Sequence, residues 1–328
     1  MNWKRVLPVA LIALVILCIV VGVLFGTTGE KKVGITVHDL SDQPAREYAE
    51  LLYSRLTKEG YTVMVVDAAN DQSRQNQQIE NWIEEKYDAL IVSPVMVSAV
   101  AETLEIALQA KLPVVLIGKE IPDDALAVYD RVSYVGNPAK QWGQLGAEVV
   151  LQWQHSGDMN GDGLISYLLM QDNPENTQKK DNTQILMQKL QDAGVMLNEI
   201  RQITTGGNQV ESKALCTQSI ANFGKDIEII ICDSDGSVLG AKRAIEDSGR
   251  AVDRDIYLVS AADTQQTLQE VAGGKISAVI HRDFPALCEK TAEVLKLLIE
   301  KKSPEKVNLI DYVTVTPENA EDYITFKN

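Results

Sequence analysis

From Lys32 onward, short runs of consecutive apolar residues alternate with longer stretches in which apolar positions recur every three or four residues. The short runs, rich in β-branched residues, predict strands at Val33–His38, Thr62–Val66, Ala89–Ser93, Val114–Ile117 and Val132–Val135. A second series is predicted at Leu164–Met170, Met196–Ile203, Ile227–Cys232, Ile256–Ser260 and Ile276–His281. Helices are predicted between them, among others at Ala45–Lys58, Arg74–Lys86, Ala99–Ala110, Ala139–Trp153, Gln178–Ala193 and Val238–Ser248. Strands that are apolar throughout and separated by helices make a parallel sheet covered on both faces. Each series holds about five strands, the content of a flavodoxin-like doubly wound sheet.

The two series resemble each other. Leu56-Thr57-Lys58-Glu59-Gly60 ends one helix before a strand, and Leu190-Gln191-Asp192-Ala193-Gly194 does the same in the second series. Two similar α/β lobes follow from this. The helix around Phe284–Lys301 and the strands near Val307–Ile310 and Tyr312–Val315 remain to complete both sheets, so neither lobe is contiguous in sequence. The expected division is 1–29 as a membrane segment, 32–138 plus about 283–309 as lobe 1, and 139–281 plus about 310–328 as lobe 2. Ligands of open α/β sheets bind outside the carboxyl ends of the strands, so facing edges make a cleft that closes on a small molecule.

The N-terminal segment is different material. Lys4 and Arg5 precede Val6 to Phe25, which runs without a charge and is long enough to cross a bilayer as one helix. The positive flank stays cytoplasmic and sends the body outward, which predicts an extracytoplasmic protein anchored to the cell membrane. Cleavage of the segment as a secretory signal is the alternative.

Composition narrows the chemistry. The 328 residues are 45% apolar and carry a formal net charge of -15, which repels phosphate backbones and argues against a nucleic-acid partner. The histidines are His38, His155 and His281, and there is no Gly-x-Ser-x-Gly, His-Glu-x-x-His or phosphate-binding glycine loop, so an enzyme is not expected. Cys216, Cys232 and Cys288 lack metal or disulfide spacing, and Trp82 stands at helical spacing suited to core packing.

One loop carries specific chemistry. Asp158, Asn160 and Asp162 set side-chain oxygens at alternate positions, and Gly163 permits a sharp turn. Leu164 offers its carbonyl, and Ser166 a hydroxyl or a held water. The twelfth position is Leu169 in a strand rather than a glutamate on a helix, which excludes an EF-hand and requires a carboxylate from elsewhere. A structural Ca2+ is expected; an Asn/Asp/Gly turn without metal is the alternative.

Several segments together resemble the bacterial periplasmic sugar-binding proteins with the type I periplasmic binding fold, and among them the galactose/glucose-binding group. They are Val33-Gly34-Ile35-Thr36-Val37, Asn70-Asp71-Gln72-Ser73-Arg74-Gln75-Asn76, Pro113 to Glu120, Tyr134-Val135-Gly136-Asn137 and the oxygen-rich loop. The resemblance runs from about Lys32 to the C-terminus and implies two lobes joined by three crossovers, closing around a monosaccharide without chemistry. It assigns Glu228 as the distant calcium ligand.

It also implies cleft contacts. Asp42 matches an aspartate that accepts sugar hydroxyls, Lys119 and Glu120 match a retained pair, and His38 replaces a tyrosine. Asn176, Gln178 and Asn182 fall on a histidine, an aspartate and an arginine; Ser234 and Asp235 fall on an asparagine and an aspartate. Asp263 lies beside the position of another aspartate, and Arg282 replaces an asparagine. The positions of the stacking aromatics hold Pro44 and Gly207, so the site rests on hydrogen bonds, and a pentose, polyol, modified sugar or other small polar solute fits as well as a hexose. Asp42 is equally suited to cap a helix, and His281 to face a core or lobe interface. The expected function is delivery of the solute to an ABC permease; the alternative is a membrane-tethered sensor that signals to a histidine kinase or chemoreceptor.

Overall fold

The computed structural model describes residues 30–324. The predicted anchor, residues 1–29, lies outside them; among the described residues no helix is long and apolar enough to cross a membrane. In lobe 1, β1 (Lys32–Val37), β2 (Thr62–Asp67), β3 (Ala89–Val92), β4 (Val114–Gly118) and β5 (Val132–Gly136) alternate with α1 (Gln43–Lys58), α2 (Gln72–Glu84), α3 (Val100–Gln109) and the short α4 (Asp123–Leu126). Lobe 2 repeats the plan with β6 (Leu164–Gln171), β7 (Met196–Thr204), β8 (Ile229–Cys232), β9 (Tyr257–Ala261) and β10 (Ala278–Arg282). Its helices are α5 (Gln141–Gln152), α6 (Thr177–Asp192), α7 (Gln209–Phe223), α8 (Asp235–Asp247) and α9 (Gln265–Ala272). The chain then returns to lobe 1 through α10 (Phe284–Ile299) and β11 (Val307–Leu309), and ends in lobe 2 with β12 (Tyr312–Val315).

The sheets are six-stranded, ordered β2-β1-β3-β4-β5-β11 and β7-β6-β8-β9-β10-β12. Pairing is parallel except for β12, which runs antiparallel to β10, so the second sheet is mixed at that edge rather than wholly parallel. Central strands are apolar on both faces because both are covered: β3 is buried throughout, whereas edge strand β2 is not. Each sheet carries one buried apolar cluster per face, such as Ile35, Leu52 and Leu295 against Ile79, Leu90 and Leu104 in lobe 1. Trp82, 3% exposed, lies over Gly34 of β1.

The helix ends read from sequence are duplicated in atomic detail. The amides of Gly60 and Tyr61 donate to Thr57 and Leu56, and those of Gly194 and Val195 to Gln191 and Leu190. Both glycines have positive φ, 90° and 86°; this is the same paired closure in each lobe.

Three crossovers join the lobes, at Asn137–Lys140, Arg282–Asp283 and Ile310–Asp311. The first and third are bonded to each other. Asn137 Nδ2 donates to the Ile310 carbonyl at 2.7 Å, Gln141 Nε2 to Asp311 Oδ1 at 2.9 Å, and the Tyr312 amide to Gln141 Oε1 at 2.7 Å.

A Cβ on Gly34 would stand 2.6 Å from the Trp82 ring. Gly34→Ala is therefore expected to destabilise lobe 1 by about 1–3 kcal/mol, read as a lower urea midpoint with an unchanged m-value.

Candidate binding cleft between the lobes

The carboxyl ends of the lobe 1 strands gather one set of predicted residues. His38 follows β1; its Nδ1 lies 2.9 Å from Ser93 Oγ at the end of β3, and its Nε2 lies 3.4 Å from Asp42 Oδ2. Asp42 occupies the N-cap position of α1 with extended backbone, yet its side chain makes no capping bond. Its carboxylate is turned to His38 instead of the helix. Lys119, after β4, donates from Nζ to the Val95 carbonyl at 2.7 Å. Burial pushes its ammonium down, and Asp42 counteracts this. Glu120, next in the chain, is exposed and contributes field at the Tyr134 hydroxyl.

Arg282 ends β10 and faces this set from lobe 2. Its Nε and Nη2 each lie 2.8 Å from Asp263 Oδ2, and its amide donates to Asp263 Oδ1 at 2.8 Å. The guanidinium packs over Phe284 at 5.0 Å. Burial pushes the Asp263 carboxyl up, but Arg282 and then His281 outweigh it, and the group sits below the usual carboxylate range. Burial pushes the Arg282 guanidinium down, but Asp263 first, then Tyr312 and last Asp42 of lobe 1 outweigh it and hold the group charged. His281 is buried between Phe284 and Tyr323, and that burial holds its imidazole below the usual range.

Other predicted residues serve the framework. Asp235 accepts from the amides of Asp263 and Thr264 and from the hydroxyls of Thr264 and Thr267 at 2.6–3.0 Å, so its carboxylate orders the β9–α9 turn. Ser234 caps α8 through the Ser237 amide. Asn182, expected in the cleft, is fully buried: Oδ1 accepts the Gly143 amide and Nδ2 donates to the carbonyls of Ala139 and Gln178. Its amide stitches α5 to α6 and offers nothing to a solute. Asn176 caps α6 from an exposed position, and Gln178 is exposed beside it.

Four contributors escaped the sequence reading. Asp172 and Asp233 follow the carboxyl ends of β6 and β8; Asp233 Oδ1 accepts the Asp172 amide at 2.7 Å. Lys179 reaches Asp172 Oδ2 at 2.8 Å. An acidic residue directly after an apolar strand was the available signal. Glu47 of α1, 9% exposed, accepts the amide of Gln265 in lobe 2 at 3.3 Å, and burial pushes its carboxyl up. A cavity of about 800 Å3 beside α6 is lined by Tyr167, Glu199 and Gln202 of lobe 2 and reaches Lys140 of the first crossover.

The oxygen-rich loop is a chain of Asx turns at the amino end of β6. Asp158 accepts from Gly161 and Gly163, Asn160 from Asp162, and Asp162 from Leu164, at 2.7–2.9 Å. Gly161 and Gly163 hold φ of 76° and 85°. Glu228, 1% exposed, accepts from Met159 and Asn160 on Oε1 and from Ser166 on Oε2. The Ser166 hydroxyl accepts from Asn198 at 3.0 Å. Among the described residues, no three His, Cys, Asp or Glu side chains are grouped to hold a metal. The oxygen donors are nevertheless of the hard type suited to calcium, with Glu228 brought to the loop from another strand.

Two doubly wound lobes, three crossovers between them and charged groups on facing strand ends define the two-lobed architecture of a solute-binding protein. The periplasmic binding protein domain matches residues 33–303, and the chain belongs to that family. The D-galactose/methyl-galactoside binding periplasmic protein MglB of Haemophilus influenzae is 24% identical over 90% of this chain and 92% of its own length. The putative rhizopine-binding protein of Rhizobium meliloti is 21% identical over 81% and 84%. Among solved structures, an ABC transporter solute-binding protein from Bacillus halodurans with bound myo-inositol has a TM-score of 0.72 at 22% identity, covering 91% of this chain and 99% of that one. One from Actinobacillus succinogenes with bound D-allose has a TM-score of 0.76 at 16% identity, covering 90% and 100%.

Asp263 is bound on both oxygens, and a pKa below the unfolded value of about 3.9 means its stabilising effect is present above that pH and lost as pH falls through the lower folded value. Asp263→Asn strands the Arg282 charge and is expected to cost roughly 3 kcal/mol at pH 7. The gap from wild type should narrow below about pH 4, measured by urea denaturation at each pH.

Proposed function

We propose that the protein captures a small, hydroxyl-rich neutral solute, a monosaccharide or polyol, outside the cytoplasmic membrane and delivers it to an ABC-type importer. The observation that carries this reading is the opposition of Asp42 and Lys119 on one lobe to the Arg282–Asp263 pair on the other, with Asp42 felt at Arg282 across the gap. Groups that donate and accept in fixed geometry suit vicinal hydroxyls, and contacts to both lobes favour the closed state. The names of the relatives, which include a ribose import binding protein from Bacillus subtilis, favour import over the signalling alternative. A carbohydrate and polyol panel tests this: the solute should raise the melting temperature, by about 4 kcal/mol of stability at a thousandfold excess over Kd, and shrink the scattering radius of gyration. Asp42→Ala and Arg282→Ala should abolish both. Melting unchanged by every sugar and polyol sinks the reading.

Calcium in the Asp158–Ser166 loop is part of the same proposal. Asp158, Asn160 and Asp162 would supply side-chain oxygens, Leu164 its carbonyl, Ser166 a hydroxyl or water contact, and Glu228 the remaining carboxylate. The buried carboxylate already gathered under the loop supports it. The ion's part would be structural. Chelator-treated protein should gain about 2.7 kcal/mol at free calcium one hundred times Kd, and Glu228→Gln should lose that gain.

The apolar run Val6–Phe25 is proposed as an uncleaved anchor that holds the protein at the membrane surface. N-terminal sequencing of the membrane-bound protein should begin at Met1 or Asn2; a start near Thr27 would make it a cleaved signal.

A further inference from the structure

We propose that Lys179, braced by Asp172 and Asp233, is the specificity-determining contact of the lobe 2 wall and selects a cyclic polyol over a pyranose or an acidic sugar. This rests on the solute-binding reading above. A side chain is strained at Gly207: its φ is +66°, and a Cβ there would meet Asp172 Oδ1 at 3.0 Å, so this position presents no stacking ring. An ion pair occupies the region instead. Lys179 Nζ lies 2.8 Å from Asp172 Oδ2 and 3.9 Å from Asp233 Oδ1, too long for a second hydrogen bond. An ammonium has three donors, and this side chain is 25% exposed, so donors remain for a solute oxygen.

Asp233 supplies the independent observation. It is 3% exposed at the carboxyl end of β8, and its Oδ2 is buried without a hydrogen-bond partner, so the wall holds an unmet acceptor beside the lysine. Two carboxylates around one ammonium leave the wall net negative, which repels a carboxylate-bearing sugar. A pyranose interrupts its hydroxyl edge with a ring oxygen that cannot donate to the aspartates and with a hydroxymethyl arm, so it satisfies this wall less fully and leaves charged groups desolvated. A ring with hydroxyls all round can accept from Lys179 and donate to the aspartates.

Calorimetry on the full chain with myo-inositol, D-glucose and D-glucuronate tests the assignment. Wild type should bind myo-inositol at least tenfold tighter than the other two. Lys179→Met should lose tenfold or more for myo-inositol, Lys179→Arg should retain most of the affinity, and Asp233→Asn, which keeps the shape, should weaken it on a fold intact by circular dichroism. Unchanged myo-inositol binding by Lys179→Met and Asp233→Asn, or a wild-type preference for glucose or glucuronate, overturns this proposal and leaves the solute-binding reading standing. Failure of wild type to bind any sugar or polyol overturns both.

Discussion

The mutual bonding of the crossovers governs what the two lobes can do. Asn137, Gln141, Ile310, Asp311 and Tyr312 lock two of the three connections together through side chain and backbone. On the proposed reading the lobes would move as rigid bodies about this connecting strip, because each is packed on both faces of its sheet and resists deformation. A solute touching both rims then acts on one degree of freedom. Its differential affinity for the closed arrangement sets the population, and a shift from mostly open to mostly closed takes about 5.5 kcal/mol.

That requirement explains why the rims are charged and why the charges are tied down. A free arginine in a closing gap would lose its water with no return; Arg282, held on Asp263 by two guanidinium contacts, is already partnered before a solute arrives. Lys119 on the Val95 carbonyl and Lys179 on Asp172 follow the same rule. On the proposed reading, the outward-facing lone pairs and donors of these fixed groups would meet the solute's hydroxyls, with little side-chain entropy left to lose on binding.

The architecture was readable in sequence because burial on both sheet faces forces whole strands to be apolar, as in Ile229-Ile230-Ile231-Cys232 and Ala89 to Val92, and because the Gly60 and Gly194 closures repeat. Candidate site positions came from the family resemblance, and the topology agrees with it: Lys119 and Arg282 stand at the carboxyl ends of β4 and β10, and Asp42 opens the helix that follows β1. Their roles were less readable. Asn182 and Asp235 occupy positions that the resemblance gives to ligand contacts, but spacing says nothing of side-chain direction, and both turn inward to unpaired backbone groups. Asp172 could have been found as an acidic residue just after an apolar strand, but its pairing with Lys179 was invisible because it depends on a rotamer and on the missing side chain at Gly207. The antiparallel run of β12 has no period of its own and follows only from the chain's return through the hinge.

Strands β6 and β8 link the two polar sites of lobe 2 and keep them apart. At their carboxyl ends the Asp172 amide donates to Asp233; at their amino ends the Ser166 amide donates to Glu228. The same device, a buried carboxylate accepting the neighbouring strand's amide, thus closes the pair at both ends. Six residues separate Ser166 from Asp172 along β6, about 20 Å of extended chain. An ion bound in the Asp158–Ser166 loop, as proposed, would therefore act on the stability of lobe 2 and not on the hinge, since the loop meets no group of lobe 1 in the bonds that hold it. Sites that share a rigid element without sharing a moving one stabilise additively. The loop can then be fixed while the opposite rim changes, which is the separation a binding scaffold needs if its specificity is to vary on a constant frame.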